Sequence, residues 1–154
     1  MNNTNYNYRK ARENELQYLI DTTEKIIKYN YGMFLENDII ILNFSEKEKS
    51  EKYIFKNLNE CLIMELNNKK IGFSITSENK IHLLIIDKKY QNKNYGKYFL
   101  KYLEDKLFEK YNTIELQSFP ANIAANTFYE NNGWKCNEKV IIGNIEMYKY
   151  KKDK

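Results

Sequence analysis

The sequence predicts an α/β fold in which helices and strands alternate in mixed order, about seven strands with four helices. Three observations carry this reading. An apolar, β-branched run from Ile81 to Ile86 leads through a polar loop into an amphipathic helix. Shorter strand-like runs lie on both sides of that junction, separated by Asn- and Gly-containing turns. The length of 154 residues suits one core and falls short of two. Residues 1–154 therefore read as a single domain, with no internal repeat or linker.

The elements follow in order. Residues 5–11 form a first strand and residues 13–29 a helix. A second helix covers residues 46–57, opened by Ser45 with Glu48 three residues on, the pattern of a capping box. Strands follow at 60–66, 70–77 and 80–87, with turns at Asn67-Asn68 and Glu78-Asn79. The third helix spans 95–111. Gly96, Phe99, Leu100, Leu103, Leu107 and Tyr111 share one of its faces, and Lys97, Lys101, Glu104 and Asp105 lie away from it. A strand at 113–118 precedes a fourth helix at 122–131, with Pro120 before its start and Gly133 as its stop. Strands at 134–140 and 144–150, with Gly143 at the turn, close the chain.

Composition narrows the class. With 42% hydrophobic and 30% charged residues the chain reads as globular and soluble. No apolar stretch approaches the ~20 residues that span a bilayer, and the first residues lack a basic region followed by an apolar one. No membrane partner is expected, and a cytoplasmic location is. Cys61 and Cys136 are too few for a disulfide scaffold or a metal cluster, and both read as buried or idle thiols. Residues 1–60 carry 9 Lys/Arg against 10 Asp/Glu, and residues 61–154 carry 16 against 11, giving −1 and +5. The lysines of the basic part are scattered and no arginine follows Arg12, which argues against a nucleic-acid partner. Asn, Lys, Ile and Tyr are abundant along the whole chain, so the tyrosines mark a compositional bias rather than a base-stacking surface.

Two constellations carry chemistry. Gln91, Asn92, Lys93, Asn94, Tyr95, Gly96 and Lys97 join the central strand to the third helix. Such a junction aims the unpaired N–H groups of a helix N-terminus out of a loop, an arrangement that holds phosphate. Lys88, Lys89, Lys93 and Lys97 add cations nearby. No Gly-Lys-Ser/Thr closes the loop and only one glycine is present, so it is neither a P-loop nor a dinucleotide fingerprint. A plain strand–turn–helix with solvated lysines remains the alternative. In the second constellation, Asn122, Asn126 and Tyr129 share a face of the fourth helix with Ala125, and Ala124 is adjacent. Two amides and a phenol there offer directed hydrogen bonds, and the small residues admit another molecule. Ile123 and Phe128, on the opposite side, suit packing on a sheet. An exposed polar face is the alternative here.

Together the two segments resemble the GNAT acetyltransferase superfamily. Gln91, Asn94 and Gly96 occupy the family's Gln/Arg-x-x-Gly-x-Gly/Ala positions after a bulged strand. Asn122, Ala125, Tyr129 and Gly133 match its later Asn-x-x-Ala-x-x-x-Tyr-x-x-x-Gly pattern, with Trp134 in the aromatic place. The resemblance covers roughly residues 5–150. It implies a central mixed, mostly antiparallel twisted sheet of about seven strands, flanked by four helices and splayed between strands 4 and 5.

The resemblance further implies acetyl-CoA as acyl donor and no metal. Leu84, Ile85 and Ile86 would lie along the pantetheine arm, and the Ile86 N–H would polarise the acetyl carbonyl. Asn92, Lys93, Asn94, Tyr95, Gly96 and Lys97 would wrap the pyrophosphate. Asn122, with Asn126 beside it, would hydrogen-bond the cofactor. Tyr129 would protonate the departing thiolate, a phenol with pKa near ~10 being a fit donor to a thiolate near ~8.5. His82, the sole histidine, is one candidate base for the amine. Glu78, Glu115 and a water chain are others, while Gln117 stands where some protein-acetylating relatives carry Glu. Asn94 replaces a common glycine, and Asn tolerates left-handed backbone better than most residues; Lys88 stands where proline is frequent.

The acceptor would be an amine of a small molecule or protein, held in part by residues 29–44, where Tyr29, Tyr31, Phe34, Glu36 and Asp38 lie. A non-catalytic acyl-CoA-binding module is the alternative function. A homodimer through edge strands or the C-terminal hairpin is compatible with the pattern.

Overall fold

The computed structural model describes residues 5–31, 47–142 and 144–154. Its strands are β1 (Tyr6–Lys10), β2 (Cys61–Leu66), β3 (Lys69–Ser77), β4 (Lys80–Ile86), β5 (Thr113–Ser118), β6 (Lys135–Ile142) and β7 (Ile145–Asp153). The helices among the described residues are α1 (Leu16–Tyr31), α2 (Lys47–Lys56), α3 (Tyr95–Phe108) and α4 (Ile123–Asn131). The seven strands form one sheet in the order β1-β2-β3-β4-β5-β7-β6. Pairs β1–β2, β2–β3, β5–β7 and β6–β7 are antiparallel. β4 and β5 pair in parallel at Lys80↔Glu115 and Ile81↔Leu116, a ladder of only two residue pairs. The mixed, mostly antiparallel sheet of seven strands is the one the family resemblance implies. The capping pattern at residues 45–48, the turn at Gly143 and most of segment 29–44 lie outside the described residues and side chains. No helix among the described residues is long and apolar enough to cross a membrane.

The chain divides into two compact units, Met1–Ile75 with Leu83–Gly96, and Thr76–His82 with Lys97–Lys154. In the first, α1 places Leu19, Ile20 and Ile26 at helical spacing, and α2 adds Ile54. These pack on Cys61, Ile63, Phe73, Ile75 and Ile85 from three strands. Burial pushes the Cys61 thiol up to about 12, so it is an inert core residue. The Asn67-Asn68 turn has both residues at positive φ, 50° and 63°, as a two-residue hairpin turn requires. Arg9 ties β1 to its neighbours, with Nη2 at 2.7 Å from both Glu15 and Glu65 carboxylates. The hydrogen bonds from Arg9 hold the Glu15 carboxyl down at about 2.

In the second unit the apolar face of α3, Phe99, Leu100, Leu103 and Leu107, is buried as its periodicity predicts. Three expectations are corrected. α3 ends at Phe108, not residue 111. Glu104 is not on the solvent side: it is 4% exposed, because Trp134 Nε1 and Lys152 Nζ each donate to it at 2.8 Å. Ile123 does not pack on the sheet but stands 73% exposed, since the buried side of α4 is the one carrying Asn122 and Asn126. Cys136, on edge strand β6, is exposed.

Candidate functional site

In the first unit the site residues follow from a fault in one strand. The two-residue turn Glu78-Asn79 sets Ser77 opposite Lys80 and, in a regular ladder, Ile71 opposite Ile86. The Ile71 carbonyl instead accepts from the Asp87 N–H at 2.8 Å. β4 has gained one residue, a β-bulge, and alternation breaks where Ile85 and Ile86 are both buried. At the bulge the Ile85 carbonyl oxygen lies 2.3 Å from where a Cβ on Gly72 would stand.

The chain leaves β4 through a short 3-10 turn, Lys88–Tyr90. Gln91 Nε2 then donates to the Ile86 carbonyl at 2.9 Å, clasping the loop to the strand end. Asn92 and Asn94 adopt left-handed backbone, φ 58° and 65°, so Asn94 does the conformational work of the glycine it replaces. The Tyr95 ring meets Tyr6 and Tyr90 edge-on at 6.1 and 6.3 Å, anchoring the start of α3. Lys93 is exposed and its Nζ reaches the Lys89 carbonyl at 3.2 Å. Leu84, Ile85, Ile86, Gln91, Asn92, Lys93, Asn94, Tyr95 and Gly96 thus form one continuous strand-bulge-loop segment. Lys97, exposed, follows in the first turn of α3.

In the second unit Lys80, His82, Glu115 and Gln117, with Ile81 and Leu116, line a cleft of about 120 Å³ where β4 and β5 run in parallel. Two of the candidate bases, His82 and Glu115, are therefore together, and Gln117 with them. His82 Nε2 lies 2.7 Å from Ser77 Oγ. Desolvation and the Lys80 charge push the His82 pKa down, with Glu78 opposing. The ring is thus neutral near pH 7 and carries a lone pair. Glu115 is committed elsewhere, its carboxylate 3.3 Å from Lys149 Nζ and 3.9 Å from Lys151 Nζ.

α4 uses its asparagines on its own chain. Asn122 Oδ1 caps the helix by accepting from the Ala125 N–H at 3.2 Å. Asn126 Nδ2 donates to the Phe119 and Pro120 carbonyls at 3.0 and 3.2 Å. Its Oδ1 is buried with no partner among the described residues. The Tyr129 ring stands among Phe128, Trp134 and Tyr150 at 5.4, 6.3 and 5.8 Å, which restricts its rotamer. Sequence reasoning missed Gly72. A glycine between apolar strand residues Ile71 and Phe73 was the available signal, since interior strand glycines mark bulges and close backbone approach. No cluster of metal-ligating side chains occurs among the described residues.

The strand-bulge-loop-helix order is the frame that the sequence resemblance implied, and residues 35–154 match the acetyltransferase (GNAT) domain family. The chain belongs to the GNAT acetyltransferase family. As a GNAT member it is an acyltransferase enzyme. Its fold is that of several solved structures. PaiA N-acetyltransferase from Thermoplasma acidophilum, solved with coenzyme A, is 21% identical with a TM-score of 0.73, covering 97% of this chain and 99% of its own. PH1933 from Pyrococcus horikoshii is 23% identical with a TM-score of 0.71, covering 97% and 99%. yncA from Salmonella typhimurium, solved with acetyl-CoA, is 11% identical with a TM-score of 0.69, covering 97% and 94%. No curated protein matches the sequence.

Proposed function

We propose that this GNAT member transfers an acetyl group from acetyl-CoA to a primary amine of a small molecule or protein by direct attack. The observation that carries the reading is the bulged end of β4 running into a loop with two left-handed asparagines at the start of α3. That segment presents backbone N–H groups, which suit a pyrophosphate and an acetyl carbonyl. In this reading Leu84, Ile85 and Ile86 line the pantetheine arm, and the Ile86 N–H receives the acetyl oxygen. Gln91, Asn92, Lys93, Asn94, Tyr95, Gly96 and Lys97 hold the phosphates, and Asn122 and Asn126 belong to the cofactor side.

The acceptor nitrogen attacks the acetyl carbon, the C–S bond breaks, and Tyr129 gives its phenolic proton to the thiolate. His82 takes the proton that the amine must lose, as its lowered pKa allows. Residues 1–154 act as one domain in this reading, a length that suits one core. A homodimer through the β6–β7 hairpin fits Ile141 and Ile142, 75% and 50% exposed on the edge strand. Gel filtration of Ile141→Lys, expected to elute later than the parent, checks it.

The deciding experiment incubates the purified protein with acetyl-CoA and a panel of polyamines, aminoglycosides, amino-acid derivatives and peptides, reading free-thiol release and product mass. Amine-dependent release, lost in Tyr129→Phe, is the expected result. Tight acetyl-CoA binding with no release for any amine favours a non-catalytic acyl-CoA-binding module, and no binding of acetyl-CoA defeats both readings.

A further inference from the structure

Gly72 lies in the middle of β3, in the first unit, where a glycine weakens a strand. Its φ is outside the left-handed region, so its own backbone conformation does not call for glycine. What calls for it is space. A Cβ there would stand 2.3 Å from the Ile85 carbonyl oxygen, 2.8 Å from Ile86 Cδ1 and 3.2 Å from Ile86 Cα. The Cδ1 could turn aside at small cost, whereas the oxygen and the Cα are backbone and cannot move without moving β4.

The oxygen is the atom nearest to that position, so the Ile85 C=O points at Gly72. The same peptide unit carries the Ile86 N–H. Because a trans peptide is planar with its C=O and N–H antiparallel, that N–H points away from Gly72. The Ile71 carbonyl, accepting from Asp87 one residue further on, holds the bulge in register.

We propose that Gly72 is a positioning residue: the empty volume beside it admits the Ile85 carbonyl and thereby aims the Ile86 N–H at the acetyl oxygen. The inference rests on the proposed acetyl-CoA reading and names what sets its oxyanion donor. A side chain at residue 72 would force the Ile85–Ile86 peptide to rotate or shift. The N–H would then miss an acetyl carbonyl while the loop that holds the phosphates, which begins at Gln91, five residues after Ile86, kept its own geometry.

Calorimetry with acetyl-CoA and with CoA, on the parent and on Gly72→Ala, tests it. Only acetyl-CoA offers a carbonyl to the Ile86 N–H, so a lost hydrogen bond is read in the ratio of the two Kd values. Gly72→Ala is expected to weaken acetyl-CoA about fivefold and to leave CoA within about twofold. Equal weakening of both ligands, as general damage to β4 would give, overturns the inference, and so does an unchanged ratio. Where Gly72→Ala does not fold, the amide resonance of Ile86 in the isotope-labelled parent decides. Acetyl-CoA should move it downfield relative to CoA, and coincident positions overturn the inference. A parent that binds neither ligand instead defeats the acetyl-CoA reading itself, and Gly72's proposed role with it.

Discussion

The two units differ in the material they offer to the proposed reaction. In the first unit the groups to which the proposal gives work are backbone: the bulge at Ile85 and Ile86, the left-handed turns at Asn92 and Asn94, and the N–H groups of Tyr95 and Gly96. Side chains there serve conformation, as Gln91 does by donating to the Ile86 carbonyl. In the second unit the groups to which the proposal gives work are side chains: the His82 imidazole beside Ser77, the half-buried Tyr129 phenol, and the inward amides of Asn122 and Asn126. The difference teaches where substitutions should hurt. The first unit should tolerate a change of side chain and fail on a change of backbone preference, while the second should fail on loss of a single functional group.

Tyr129→Phe is the sharpest test, because it deletes one oxygen and keeps the ring that packs on Trp134 and Tyr150. The expected loss in kcat is about a hundredfold, within the range for a general acid. CoA affinity and Tm should stay near the parent values in calorimetry and thermal unfolding. A kcat within about threefold of the parent would remove the phenol from the chemistry and break the contrast on the second unit's side.

His82→Gln comes next, with an expected fall of about tenfold in kcat/KM and a change in pH dependence. The folded pKa of His82 lies below its ordinary value, so the ring is neutral at pH 7 and protonates only at lower pH. Activity therefore falls as pH drops through that lowered pKa, and the Gln variant should lose this acid limb. An identical acid limb in the variant would assign the titration to another group or to the acceptor amine.

How far these roles are legible in the sequence follows the same contrast. Elements and loop were readable because their signals are local: a continuous apolar, β-branched run over β4, helical spacing in α3, and asparagine at Asn94 where left-handed backbone was required. What escaped depends on partners distant in sequence. Glu104 reads as a surface residue from its own helix and is buried because Trp134 and Lys152, 30 and 48 positions away, donate to it. Ile123 reads as core and is exposed, since α4 is turned by the hydrogen bonds of Asn126 to Phe119 and Pro120. Glu115 reads as a free base and is occupied by lysines of β7. Gly72 needed knowledge of which β4 peptide lies beside it.

A paired substitution at Asn94 probes the backbone side of the contrast. Asn94→Gly keeps access to φ 65° and should leave CoA affinity within about twofold. Asn94→Val makes that conformation costly by roughly 1–2 kcal/mol, which corresponds to about tenfold weaker CoA binding if the loop must adopt it to bind. Calorimetry on both variants reads the difference directly. Equal affinities would mean that the loop binds through its side chains after all, and the two units would then work alike.

Lys93→Ala should have the smallest effect. The Lys93 ammonium is exposed and its recorded contact is the Lys89 carbonyl at 3.2 Å, so solvent and salt screen whatever it contributes to a bound phosphate. An increase of about threefold or less in the CoA Kd at low salt, vanishing near 0.5 M salt as the screening length shortens, is the expected result. A loss of tenfold or more that persisted at high salt would require the ammonium to be desolvated against the ligand. That outcome would move a side chain of the first unit into the binding machinery and dissolve the distinction at its weakest point, since the backbone donors alone would then no longer account for anion binding by this loop.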